Sequence, residues 1–590
     1  MTILPVIAVS GFVLILAYLT YGRLVARWLG VDPARRTPAV EMEDGNDYVP
    51  APPGVVLGGH FTAIAAAGPV VGPILAGLAF GWLPALLWIL LGSIFIGGVH
   101  DAGALLASIR HKAGSITVVV REHMSRTAYV TFLLFVWLCL VYVVIAFADV
   151  TAGTFSKFQA LPMVVDGQAV TFAINGGAVA IGAAAYLALS LAMGLLLRYT
   201  KLPWWALLPG AVVVIGWTIW NAPAIAQWLA AHGLPFMDTS TQEAGALTKR
   251  WDQALLVYCL IASVAPMWLL LQPRGVIGAT FLYAALFFGV AGTLVGGWDE
   301  AGTLAVQWPA FTGFTSAGGE LLFPFLFITI ACGACSGFHS VVASGTTSKQ
   351  VRHEGDVKPI AYGAMLLEAM VAVFALACVM VLVPGGPGAK YGSPDAIYAQ
   401  GIARFAGFLG IPEQLGISFG LLAFSSFVFD TMDVCTRLGR YVLQEMTGLK
   451  GRWGGVVATV LTIAGPAAYL AASPAGSFRL FWTIFGTSNQ LLAALTLVGV
   501  SVWLWRTGRP VWFALVPAMV MVANTGTALV LNFRKFFGDY EAAIVQKTAS
   551  VAPMVVNMAI AGVLFLLGAL VVFEALRVWR MSRTAAVLRR

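Results

Sequence analysis

Apolar residues run through this chain in blocks of about twenty, and polar residues gather in the short gaps between them. A helical block of that length crosses roughly 30 Å of hydrocarbon. Lipid offers no hydrogen bonds to the backbone, so each crossing must satisfy its own N–H and C=O groups, which favours helices. The pattern therefore predicts an all-α polytopic membrane protein with about fifteen spans. They fall approximately at 3–22, 59–80, 83–108, 127–150, 176–197, 203–222, 252–271, 277–297, 321–344, 360–383, 415–436, 454–473, 481–504, 511–531 and 551–576. Outer loops near 151–175, 223–251, 298–320 and 384–414 leave room for short interfacial helices. Residues 1–22 carry no charged side chain and run straight to Arg23 and Arg27, so they are read as a permanent first span. With those arginines in the cytoplasm, most of the 34 Lys and Arg residues fall on that side. The bias predicts an outside N-terminus and a cytoplasmic C-terminus.

Composition agrees with the pattern. Of 590 residues, 59% are hydrophobic and only 10% charged, where a soluble protein carries roughly 25% charged residues. The net charge of +8 sits at helix ends, so it implies a lipid bilayer as partner and no nucleic acid. All six cysteines lie in apolar segments, which is no disulfide framework. There is no G-x-x-x-x-G-K-[ST] phosphate loop, so no ATP-driven step and no cofactor is expected. The remaining classes are a secondary transporter of small molecules or a channel, in an inner (cytoplasmic) membrane. Oligomeric state is left open.

Two spans do not read as simple rods. The second runs Gly58-Gly59-His60 to Gly68-Pro69-Val70-Val71-Gly72-Pro73, where two prolines four apart remove backbone donors. The ninth runs Cys332-Gly333-Ala334-Cys335-Ser336-Gly337-Phe338-His339-Ser340 and on through Gly345. Small-xxx-small packing accounts for Gly68/Gly72 and Gly333/Gly337. Proline is not needed for packing, however, and points to discontinuous helices. Carbonyls freed at membrane depth must meet ions, substrate, water or packed protein. The two breaks open spans of opposite direction. Five spans counted from each give two inverted units, the 5+5 repeat of transporters resembling the LeuT-type symporters of the APC superfamily, with extra peripheral helices. The expected organisation is a first span and loop (1–58), a first repeat (59–222), two inserted spans (223–320), a second repeat (321–505) and two final spans with a basic tail (506–590).

Ionisable groups within spans are costly and face a cavity or a partner. His60 stands at the mouth of the second span, as a site residue or an interfacial anchor. His100 and Asp101 end an apolar run in the third. His339 lies in the second break. Glu368, in the tenth span, is a weaker candidate because Lys358 and the interface are near. In the eleventh span Asp430 and Asp433 are one turn apart; Asp433 is expected to pair with Arg437 at i+4. Asp430 is deeper and is expected to carry a proton as a desolvated acid, so that Asp430→Asn abolishes concentrative uptake. Ser425 and Ser426 either ligate a cation or bond back to their own helix. Thr487 to Gln490 place amides in an apolar helix, as interhelical glue or cavity lining. Cys332-x-x-Cys335-x-x-x-His339 has metal-like spacing on one helical face, a basis for an intramembrane enzyme, but no H-E-x-x-H is present in this span. Gly416-Ile417-Ser418-Phe419-Gly420 matches a nucleophile elbow only as a string.

Asn46-Asp47-Tyr48-Val49-Pro50 before Gly59-His60-Phe61, Ala67-Gly68-Pro69 with Gly72-Pro73, Ala331-Cys332-Gly333 with Ser336-Gly337-Phe338-His339-Ser340, Gly345-Thr346-Thr347-Ser348-Lys349 and Ser488-Asn489-Gln490 follow one another in order. Over roughly residues 20–500 the chain resembles the carbon starvation (CstA) family of bacterial transporters. The resemblance implies uptake of peptides or pyruvate, with proton symport. A His-His pair is common in that family where Gly59-His60 stands, and Gln where His100 stands. The expected mechanism is alternating access, with H+ rather than Na+ as coupling ion. Substrate is expected at His60, Gly68, Pro69, Gly72, Pro73, Gly333, Ser336, Gly337, His339, Ser340 and Asn489. Ion or proton coupling is expected at His100, Asp101, Ser425, Ser426, Asp430 and Asp433. A metal-dependent intramembrane enzyme and a gated channel are the alternatives.

Overall fold

The computed structural model describes residues 1–45, 47–65, 67–156, 158–165, 168–234, 236, 244–298, 302–386, 393–476, 478–546 and 552–587. Asn46, part of the motif string above, lies outside them. Among the described residues, twelve helices are long and apolar enough to cross a membrane. A bent pair, Pro53–Ile64 with Gly68–Phe80, makes a thirteenth crossing if taken together, its halves inclined by 45°. These thirteen match thirteen of the expected spans in order.

The other two differ. The span expected at 252–271 is the helix Ala244–Val264, which carries Lys249, Arg250 and Asp252 and stops short of Pro266. Proline disfavours helical backbone in the residue before it, so the chain turns here and a new helix starts at Leu271. The span expected at 321–344 is three pieces, Leu322–Thr329, Ala331–Ala334 and Gly337–Gly345. Between the last two the backbone is fully extended, with φ/ψ of −165°/115° at Cys335 and −121°/125° at Ser336. In the 151–175 loop an antiparallel hairpin pairs Phe158–Val165 with Gln168–Asn175 instead of an interfacial helix. The Asp-Gly dipeptide between two β-prone runs was the signal for it. The 384–414 loop holds the helix Pro394–Gly407, buried against the helices Glu413–Thr447 and Leu271–Gly296.

Burial separates core from lipid-facing helices. The spans Trp482–Arg506, Glu354–Met380 and Glu413–Thr447 are largely enclosed by protein. Trp204–Ala231 and Ala552–Val587 instead turn Trp205, Trp217, Trp220, Leu566 and Phe573 outward. Apolar exposure on that scale suits lipid, where no hydrophobic penalty applies. At the centre the two broken spans lie against each other. A Cβ on Gly68 would stand 2.3 Å from the Cys332 sulfur, and one on Gly72 2.4 Å from the Thr329 carbonyl oxygen. Both readings of the Gly-Pro string therefore hold. Pro69 starts the second half-helix in its first turn, where no donor is lost, and the glycines let the other break approach.

Candidate functional site

The enclosed helices bring four ionisable side chains into one line. On Trp82–Arg110, Asp101 accepts from its neighbour His100 (Nδ1 to Oδ1, 2.7 Å) and from His339 across the break (Nδ1 to Oδ2, 2.8 Å). The far nitrogen of His339, Nε2, lies 3.2 Å from Oε2 of Glu368 on Glu354–Met380. All four side chains are fully buried, and among the described residues no Lys or Arg pairs with either acid. This approach is an ion pair when His339 is protonated, and its geometry is not that of a hydrogen bond. His339 Nε2, both Glu368 oxygens and His100 Nε2 have no hydrogen-bond partner among the described residues. Glu368, the weaker candidate in the sequence, is fully buried on the same enclosed helix.

A second knot centres on Arg274, which is 1% exposed. Its guanidinium grips Asp433 through both terminal nitrogens, Nη2 to Oδ1 at 2.7 Å, and its Nε lies 2.7 Å from Asp430 Oδ1. Tyr186 places its hydroxyl 2.9 Å from Asp430, and Tyr258 donates to Asp433 at 3.1 Å. Gly278 makes room: a Cβ there would meet Asp430 Oδ2 at 2.7 Å. This corrects one expectation. Asp433 does not pair with Arg437, whose Nη2 instead donates to the Ala262 and Ala265 carbonyls at the end of Ala244–Val264. Asp430 is buried as expected, with Arg274 beside it. Arg274 falls between the expected spans 252–271 and 277–297; Pro273 beside it sits in the first turn of Leu271–Gly296, where proline is tolerated, so the helix carries Arg274 inside.

A narrow cavity opens beside the Arg274 knot, and none of His100, Asp101, His339 and Glu368 lines it. His60, Gly59, Thr62 and Ala63 of the first break line it together with Thr346, Thr347, Gln350, Arg274 and Asp430. His60 is buried, not an interfacial anchor; its Nδ1 lies 2.9 Å from Thr347 Oγ1, and its Nε2 is unpartnered among the described residues. Gly68, Pro69, Gly72, Pro73 and Gly333 lie outside this cavity, in the packing between the breaks.

Asn489 holds the second break in shape. Its Oδ1 accepts from the Phe338 N–H at 2.9 Å, capping the helix that carries His339, and its Nδ2 donates to Ser336 and Cys332. Gly337 packs on the same Asn489 helix, and Ser340 bonds Thr496 at 3.0 Å. Thr487 and Gln490 bond Asn532 and Asn524, as interhelical glue. Ser425 and Ser426 bond back to Leu422 and Ala423 of their own helix. Cys332, Cys335 and His339 do not converge as metal ligands: the one-face spacing presumed a continuous helix, and the chain is extended at Cys335 and Ser336.

The sequence model of carbon starvation protein CstA matches residues 2–397 and 388–528. The chain is 32% identical to the peptide transporter CstA of Escherichia coli (strain K12), over 89% of this chain and 80% of that protein. It is 30% identical to the peptide transporter CstA of Bacillus subtilis (strain 168), over 98% and 97%. It is 29% identical to the pyruvate/proton symporter BtsT of Escherichia coli (strain K12), over 94% and 86%. Among solved structures it is similar to the Eremococcus coleocola manganese transporter, with a TM-score of 0.44 and 14% identity over 91% of this chain and 99% of that one. With a family match spanning most of its length and relatives aligned nearly end to end, this multi-pass membrane protein belongs to the carbon starvation protein CstA family.

Proposed function

We propose that the chain is a secondary active transporter that imports small organic nutrients, peptides or pyruvate-like carboxylates, by proton symport with alternating access in the inner membrane. The observation that carries the reading is the buried line His100–Asp101–His339–Glu368, which spans the second break and sets histidines against acids, groups that can each take a proton. Such a line changes its charge state without leaving a fixed cation unpaired. The cavity beside it presents His60 Nε2 and the edge of Arg274, donors suited to a carboxylate. In this reading Asp101, His339 and Glu368 carry the proton, His60 meets substrate, and Asn489 keeps the break open. Arg274 with Asp430 and Asp433 closes the cavity floor. H+ rather than Na+ is the coupling ion in this reading, because the buried line is made of groups that take and release protons.

We further propose the inverted 5+5 repeat over 59–222 and 321–505, with the N-terminus outside and the C-terminus inside. In support, the second span of each proposed repeat carries a π-helical segment, Ser93–Gly97 and Lys358–Gly363, and each is followed about one turn later by the buried acid, Asp101 or Glu368. Such bulges recur at functional sites because they re-aim the side chains that follow. The test is a substrate screen with purified protein in proteoliposomes, run with and without an inward proton gradient. Gradient-dependent, saturable accumulation of a peptide or of pyruvate is expected. Uptake indifferent to the gradient would remove the symport reading.

A further inference from the structure

The helix that carries Asp101 ends at His111, and the chain then reverses through two left-handed residues, Lys112 (φ 57°) and Ala113 (φ 53°). The reversal returns the short helix Ile116–His123 beside His111. His111 Nε2 and His123 Nε2 face each other at 2.8 Å, and Oε2 of Glu122 lies 3.6 Å from the same His111 nitrogen. His111 Nδ1 donates to the Ala107 carbonyl at 2.6 Å. That bond places the His111 proton on Nδ1 and leaves Nε2 as a bare lone pair. It is also the outer contact that orients and strengthens histidine ligands to metals. The two Nε2 atoms need a proton between them, or a cation in its place.

We propose that His111, His123 and Glu122 form a binding site for a divalent transition cation of the Zn2+, Ni2+ or Cu2+ class, apart from the transport cavity. Two imidazoles and one carboxylate are a donor set these cations favour. Ligand nitrogens on a tetrahedral Zn2+ at about 2.0–2.1 Å stand roughly 3.3 Å apart, so the histidines need part by only about half an ångström. The carboxylate is already at such a separation, and Glu122 is half-exposed, which gives the cation an entry path. Three protein ligands leave a position for water. Arg506 lies near enough to His123 to oppose a cation, which sets this site below the affinity of a closed structural centre. Binding would clasp Ile116–His123 to the end of the Asp101 helix. Ile116 N–H in turn donates to Ser344 on the helix that carries His339, at 3.1 Å, so the clasp touches the moving break.

The test is titration of tag-free, purified full-length protein with Zn2+, read by calorimetry and by competition with a chromogenic chelator. One equivalent per chain is expected, weakened at least tenfold in His123→Gln and about tenfold in Glu122→Gln. His232→Gln and His353→Gln are expected to bind as the parent does. Glu122→Gln is a surface change that leaves the fold intact, so its result stands if His123→Gln fails to fold. Cu2+ electron spin echo spectra should show two imidazole nitrogens, reduced to one in His123→Gln. Absence of a stoichiometric site, or equal Zn2+ affinity in the parent and Glu122→Gln, would overturn the proposal.

Discussion

Of two buried clusters of carboxylates, one lines the cavity and one does not, and they are built on opposite principles. Asp430 and Asp433 share one guanidinium and accept from two tyrosine hydroxyls, so both acids have a permanent cation to face. Asp101 and Glu368 have only histidines between them, and a histidine is a cation only when a proton is present. The first cluster keeps its guanidinium cation whatever its acids do. The second can be emptied and refilled. A fixed ion pair suits a latch or floor, and a line of exchangeable protons suits coupling.

That contrast can be broken first at Asp101. Asp101→Asn is expected to abolish accumulation driven by a proton gradient while substrate counterflow persists in proteoliposomes; full loss of both would point to collapse instead. Next in size is Arg274→Met, which leaves two buried acids without their cation. It is expected to cost about 3–5 kcal/mol of stability, read as a large fall in unfolding temperature in detergent. Asp433→Asn on that background should recover part of the loss. Gly68→Val presses a side chain into Cys332 and is expected to cost about 1–3 kcal/mol, relieved in part by Cys332→Ala. The smallest effect belongs to Ser425→Ala. Its hydroxyl bonds Leu422 of the same helix, so a change of roughly 1 kcal/mol or less and near-normal uptake are expected. A large uptake defect in Ser425→Ala would restore the cation-ligand role and argue for Na+. Asp430→Asn sharpens the comparison further: Arg274 keeps Asp433, so uptake should fall yet keep its dependence on the proton gradient.

Most of the architecture was legible because the membrane imposes a single length scale on apolar runs. The breaks were legible for the same reason, since Gly-Pro inside such a run has no cheap explanation. Pairing across the fold was not. Nothing local in the sequence links Arg274 to Asp433 or His339 to Glu368; those contacts arise from helices far apart in the chain. Local rules actively misled where they competed with tertiary contacts, as with Asp433 and Arg437 at i+4. The metal-like spacing of Cys332, Cys335 and His339 failed for a related reason: a spacing argument assumes an unbroken helix, and the glycines that marked the break also cancelled the spacing. His111 and His123 are twelve residues apart, and only the reversal at Lys112 and Ala113 brings them together.

The account rests on a proton passing between His339 and Glu368, and proton movement can be measured directly. Proteoliposomes loaded with a pH-sensitive dye and given pyruvate or a peptide that the protein transports should acidify inside as substrate enters. With Glu368→Gln, substrate should still exchange across the membrane but the interior pH should stay constant. Acidification equal to the parent in Glu368→Gln would show that the proton travels elsewhere.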